Sequence, residues 1–204
     1  MTRLRILSDD DFDKLYKIPK FNDEERQVVF ELDEEDKNYL NTINSIPIII
    51  NYILCLGYFR ISQYFFSFTL QGIKENVNYI VKTYFPGTTF PMKQISNRQY
   101  CTNLQTILKR HKMTLYSNSF HSSILDHLRS LVGQHAVLQY LFDSLLDYCH
   151  QHKVVRPAYS TLQTLISETL TTERLRINNK LYTIMDNLLL KSLSNLLKKN
   201  DLFY

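Results

Sequence analysis

The sequence predicts an all-α protein, a multi-helix bundle made of two tandem helix-turn-helix-like subdomains. Three observations lead there. The chain has 204 residues, 44% of them hydrophobic and 22% charged, enough to bury a core and too apolar for wholesale disorder. It holds only four glycines, which leaves few places for positive-φ turns or a glycine-rich phosphate loop. Apolar residues recur at helical spacing behind Ser, Asp and Thr residues able to cap a helix, along most of the chain.

The elements follow in order. In "LSDDDFDKLYKIP", Ser8 caps a short helix, Asp9 to Asp11 suit its positive N-terminal end, and Pro19 closes it. The same acids resemble a metal cluster only superficially, because no other ligand types accompany them. "RQVVFEL", residues 26–32, reads as a short strand without an obvious partner. "LDEEDKNYL" reads as a helix capped by Asp33. A buried helix is expected from Ser45 to Tyr58, with Pro47 tolerated in its first turn. Its apolar run, "IPIIINYILCLGYF", is too short to span a bilayer. "YFRISQYFFSF" places six aromatics in 11 residues, and core packing explains them better than base stacking around Arg60.

A helix near 72–84 ends before Pro86, and "FPGTTFPMKQ" is the expected boundary between subdomains 1–90 and 91–204. Further helices are expected at 97–111, 120–133, 135–152, 160–182 and 187–199. His150 and His152 stand two apart, so they do not share a helix face as a zinc pair would.

Charge divides the chain as well. Residues 1–90 hold 10 Lys/Arg and 13 Asp/Glu, a net −3, whereas the remainder holds 14 and 7, a net +7, together with all six histidines. Such asymmetry points to an anionic partner for the second half. Cys55, Cys101 and Cys149 form neither a metal motif nor a disulfide framework, which reads as a reducing cytoplasm. No signal peptide is expected in "MTRLRILSDDDFD". No P-loop, G-x-S-x-G, H-E-x-x-H or C-x-x-C motif occurs, so the chain is not expected to be an enzyme.

The most informative stretch is "KVVRPAYSTLQTLISETL", residues 153–170. Pro157 ends one helix, and Ser160 or Thr161 caps the next. Leu162, Leu165, Ile166 and Leu170 make its buried stripe. Gln163, Thr164 and Ser167 occupy the other face as candidate base readers, while Arg156, the helix start at Ser160 and Thr161, Arg174, Arg176 and Lys180 are candidate phosphate contacts. Helix 160–182 is thus the candidate recognition helix. Arg98, Lys109, Arg110 and Lys112 form a second candidate basic surface on another helix. The alternative is an amphipathic module that binds a protein partner or dimerises without touching DNA.

Three stretches carry a resemblance. "KVVRPAYSTLQTLISE", continued by "RINNKL", is similar to a segment of the replicative transposases of the Tn-three family: basic-apolar-apolar, Pro, a small residue, Ser/Thr-Thr-Leu, then an apolar helix. "RILSDDDFDKLYKIP" and "VFELDEEDKNYL" resemble the family's opening, and Leu56, Gly57 and Arg60 keep the register between them. The sequence departs from the family where Pro47, Ile48, Ile49, Ile50 and Asn51 replace a basic His-Asn-Arg-Leu-Gly run. It departs again at Asn97, Tyr100 and Thr164, where basic residues or His are usual. The resemblance implies an N-terminal, all-helical region that recognises double-stranded DNA at the transposon's terminal inverted repeats in a bacterial cytoplasm. It implies no cofactor, membrane or small-molecule substrate for this region. The divalent metal belongs to a catalytic domain far downstream, and self-association belongs to the full-length protein.

Overall fold

The computed structural model describes residues 4–90, 92–134, 137–184, 189, 191, 192 and 194. Among them are nine α-helices: α1 (Asp9–Tyr16), α2 (Asp23–Val29), α3 (Glu34–Leu40), α4 (Ile46–Ser62), α5 (Lys74–Tyr84), α6 (Asn97–Arg110), α7 (Asn118–Val132), α8 (Leu138–Gln151) and α9 (Tyr159–Ile184). The fold is all-α. Of the helix expected at 187–199, only residues 189, 191, 192 and 194 are among those described, and these are helical.

Local chemistry starts most of these helices. Ser8 and Asp33 accept the backbone N–H of Asp11 and Asp36. Ser96 and Gln99 form a reciprocal capping box at α6, and Ser117 caps α7. Where a strand is expected at 26–32, residues 26–29 are instead the second half of α2 and Phe30 is its C-cap. A capping box between Asn22 and Glu25 nucleates helix just upstream, and Val29 and Phe30 are buried by it. The acids of α1 are used locally: Asp9 pairs with Arg5 at 2.7 Å and Asp13 with Lys17 at 2.5 Å.

The helices build two hydrophobic cores. The first surrounds α4, whose residues Ile50 to Phe59 are all buried. It is flanked by α2, α3, α5 and α6, with Phe30, Leu40, Val77, Ile80 and Ile107 packed inward. Tyr58, Phe59 and Phe66 lie within this core, so the aromatic stretch packs rather than projects. The second core is the α7–α8–α9 unit, closed by residues 4–7 and α1. The cores do not follow the connector at 85–94. Helix α6 packs on α4, and Leu7 at the other end of the chain joins the second core. Among the described residues, no helix is long and apolar enough to cross a membrane.

One extended dipeptide joins the cores. Val154 is buried in the second and Val155 in the first, because successive side chains of extended backbone point to opposite sides. An isolated parallel bridge between Thr114 and Val154 fixes this segment: Thr114 N–H donates to Lys153 O at 2.9 Å, and Val155 N–H to Thr114 O at 2.9 Å.

Candidate nucleic-acid interface

The start of α9 is set by Tyr159 rather than by a hydroxyl cap. The Tyr159 ring packs edge-on against Phe12 and contacts Tyr16 and Phe142. Its hydroxyl accepts the N–H groups of Ile6 at 3.1 Å and Leu7 at 3.3 Å. These tertiary contacts begin the helix one residue early, and its first backbone acceptor is Ala158 O. Ser160 and Thr161, expected as caps, therefore lie inside the first turn.

Leu162, Leu165 and Ile166 are buried as the spacing predicted, and Thr169 is buried with them. Gln163 is not free to read a base: its side-chain amide donates to Leu4 O at 2.5 Å, tying the N-terminal segment to α9. Thr164 is exposed and Ser167 half-buried, and the side chains of Ser160, Thr164 and Ser167 are without hydrogen bonds among the described residues. Ser160, Thr164, Ser167 and Arg174 follow one another at intervals of four, three and seven residues, so they share one helix face. Arg174 and Lys180 are exposed. Arg176 is also exposed, but both ends of its guanidinium donate to Glu173. Arg176 and Lys180 continue the line of Leu162 and Thr169 rather than the face of Thr164.

Arg156 is committed to the interior. Its Nη2 donates to Ser62 O at 2.8 Å, and the guanidinium lies 5.1 Å from the Tyr16 ring centroid and 5.3 Å from that of Tyr64. Burial holds its pKa below the usual arginine value. This side chain therefore clamps the two cores and does not present itself to a phosphate. Arg156→Ala should lower stability by about 2 kcal/mol, one charged hydrogen bond plus ring contacts less the cost of its buried, unpartnered Nε. Lysine should not restore the loss, since it lacks the planar fork. Thermal unfolding of the three proteins measures this directly.

The second expected surface also divides. Arg98 is exposed in the first turn of α6, and Lys109 is exposed at its far end. Arg110 points back to the α3 start, donating to Glu35 O at 2.9 Å and approaching Asp36 Oδ1 at 3.0 Å. Lys112 is exposed, in a left-handed conformation with φ 52°.

Beside Lys112 stands a group that sequence patterns did not single out. Helices α6 and α8 end alike. His111 and His152 are their C-caps, Lys112 and Lys153 follow with φ 52° and 54°, and Met113 and Val154 close each end by donating to Leu108 O and Cys149 O at 2.9 Å. The Thr114–Val154 bridge holds the two ends side by side. The signal was present as a short repeat, "HKM" at 111–113 and "HKV" at 152–154. Next to it is a cleft of about 310 Å³, lined by Arg60, Gln63, His111, His150 and Lys153 over a floor of Phe59 and Met113. Burial holds the pKa of His111 below the usual histidine value. His152 is turned elsewhere, its ring 4.0 Å from that of Tyr148, so it does not work with His150 as a metal pair.

Among the described residues, no group of three or more His, Cys, Asp or Glu is placed to hold a metal ion. Burial pushes the Cys55 and Cys149 thiols up to about 12, far from the range of a reactive thiolate. No curated protein and no solved structure matches the chain. Residues 6–169 match the family described as Domain of unknown function (DUF4158), a family known in transposases, and the chain belongs to it.

Proposed function

We propose that this chain is a sequence-specific DNA-binding module of a transposase, that the transposase is of the Tn-three type, and that the module recognises the terminal inverted repeats of its transposon. The observation that carries the reading is the α9 face bearing Ser160, Thr164, Ser167 and Arg174, uncommitted side chains on the basic half of a chain whose family is known in transposases. Hydroxyl side chains can contact either base type in a groove, and arginine contacts guanine edges or phosphate. Arg98, Lys109, Lys112 and Lys180 are exposed and free to neutralise backbone charge. Catalysis is no part of this proposal.

Fluorescence anisotropy on the element's own terminal repeat and on a scrambled duplex, each at two salt concentrations, tests the reading. Repeat-selective binding is expected, with a salt slope matching about 4–8 phosphate contacts. Combined Thr164→Ala and Ser167→Ala should erase the selectivity while leaving most of the slope. Equal affinity for both duplexes would overturn sequence-specific recognition by this chain.

A second reading, a helical interaction module, is favoured by one observation. Beyond Thr169, α9 exposes Leu175, Ile177, Leu181, Tyr182 and Ile184, more apolar surface than a solvated helix ordinarily shows. Sedimentation equilibrium separates the readings: self-association abolished by Leu181→Asp would support the module, and a monomer at all concentrations would count against dimerisation.

A further inference from the structure

We propose that the paired helix ends at Lys112 and Lys153, with the cleft between Arg60, His111 and His150, form a sequence-independent seat for backbone phosphates of double-stranded DNA. The inference deepens the DNA-binding reading and rests on it.

Four features converge on this place. The cleft has no acidic residue in its lining; His111, His150 and Lys153 offer nitrogen donors and Gln63 an amide, while the Arg60 guanidinium at its edge is already paired with Asp33 and Asp36. Lys109, Lys112 and Lys153 are exposed and without an ion-pair partner among the described residues. The lysines sit on a rigid mount, because each helix end is closed by its own backbone bonds and the two are locked together through Thr114 and Val154. Arg60 is equally fixed, held by Glu31 O at 2.6 Å, Asp36 at 2.5 Å and Asp33 at 3.2 Å, so it edges the cleft as a rigid, internally paired wall rather than as a free cation. Preorganised donors lose little freedom when an anion arrives.

Backbone conformation points the same way. The residue just past a helix end in left-handed conformation is most often glycine, since a Cβ is disfavoured there. Three helix ends in this chain carry a non-glycine residue in that conformation: lysine at two of them, Lys112 and Lys153, and at the end of α4 Gln63, which lines the same cleft. A helix macrodipole favours cations within the last turn, which accounts for Lys109, Arg110 and His150. It does not account for choosing lysine over the less strained glycine at the next position, twice, on adjoining helix ends. Long charged side chains that leave the surface at both points reach one duplex backbone.

The test separates folding from binding, because the informative substitution relieves strain. In the full chain, Lys112→Gly and Lys153→Gly should each leave the thermal midpoint unchanged or raise it by a few degrees. In the double variant, anisotropy on repeat and scrambled duplexes should show affinity lowered by the same factor for both, on the order of tenfold. The magnitude of the salt slope should fall by about two, one for each phosphate that a lysine no longer neutralises. The control is Lys74→Gln with Lys82→Gln, which removes the same charge from two exposed positions on α5. An equal loss in that control would overturn a localised seat, as would an unchanged slope in the glycine double variant. Wild-type protein that binds neither duplex would overturn the DNA-binding reading itself, and this inference with it.

Discussion

Replacing Asp36 by alanine should destabilise the protein by about 3 kcal/mol, and by nearly as much when asparagine is used. Asp36 is 1% exposed and pairs with two arginines from different helices: Arg60 Nη2 donates to Oδ2 at 2.5 Å, and Arg110 Nη2 stands 3.0 Å from Oδ1 as an ion pair without hydrogen-bond alignment. Both guanidiniums are themselves mostly covered, with side chains 28% and 20% exposed. Removing the carboxylate leaves two positive charges close together and poorly hydrated, which is why losing one partner costs more than the intact network contributes. Asp33 offsets part of the loss. Its carboxylate accepts the Asp36 N–H and lies near both arginines, which keeps its pKa below the ordinary carboxylate value. Chemical denaturation in low and high salt distinguishes this network from a surface pair. The loss should persist in 1 M salt, where the screening length falls to about 3 Å and exposed pairs vanish. A change below about 1 kcal/mol would mean the arginines are solvated rather than dependent on Asp36.

Gly57→Ala should also destabilise, against what helix propensity alone demands. Alanine is favoured over glycine inside a helix by about 1 kcal/mol. Here a Cβ would stand 2.5 Å from Phe30 Cδ1 and 2.9 Å from the Val29 carbonyl oxygen. The Phe30 ring is 1% exposed and wedged against Phe21 and Tyr58, and its own carbonyl accepts the Tyr84 hydroxyl at 2.7 Å. Neither obstacle can step aside cheaply, so overpacking of about 1–3 kcal/mol should exceed the propensity gain. Gly57→Val should cost more. Combining Gly57→Ala with Phe30→Leu should recover part of the loss, a coupling that a double-mutant cycle by thermal unfolding reads directly. A raised midpoint in Gly57→Ala would show that α2 and α4 are not packed this closely.

Where the sequence was legible, the reason is local. The helix starts at Ser8 and Asp33 could be read because a cap and its N–H lie three residues apart in the chain. The apolar stripe Leu162, Leu165, Ile166 needed only the helical period. The strand at 26–32 was misread because β-branched and aromatic residues outweighed the Asn22–Glu25 box beside them. Position 57 could be recognised as a glycine that keeps a family register, but the reason lies at Phe30, beyond the end of a different helix.

The candidate site was legible to a lesser degree, for the same reason. Among the basic residues expected at DNA, Arg98, Lys109, Lys112, Arg174 and Lys180 are exposed, whereas Arg110 and Arg156 are engaged with distant parts of the chain. Chain separation decides the difference: Arg110 meets the carbonyl of Glu35 across 75 residues, and Arg156 that of Ser62 across 94. By itself the sequence determined a mainly helical chain, the caps at Ser8 and Asp33 and a basic second half, because capping, periodicity and charge are properties of neighbouring residues. The tertiary structure alone decided which cations are consumed as internal ties and which face solvent, and it set Lys112 beside Lys153. A guanidinium's partner is chosen by packing, and packing brings together residues that no local pattern connects.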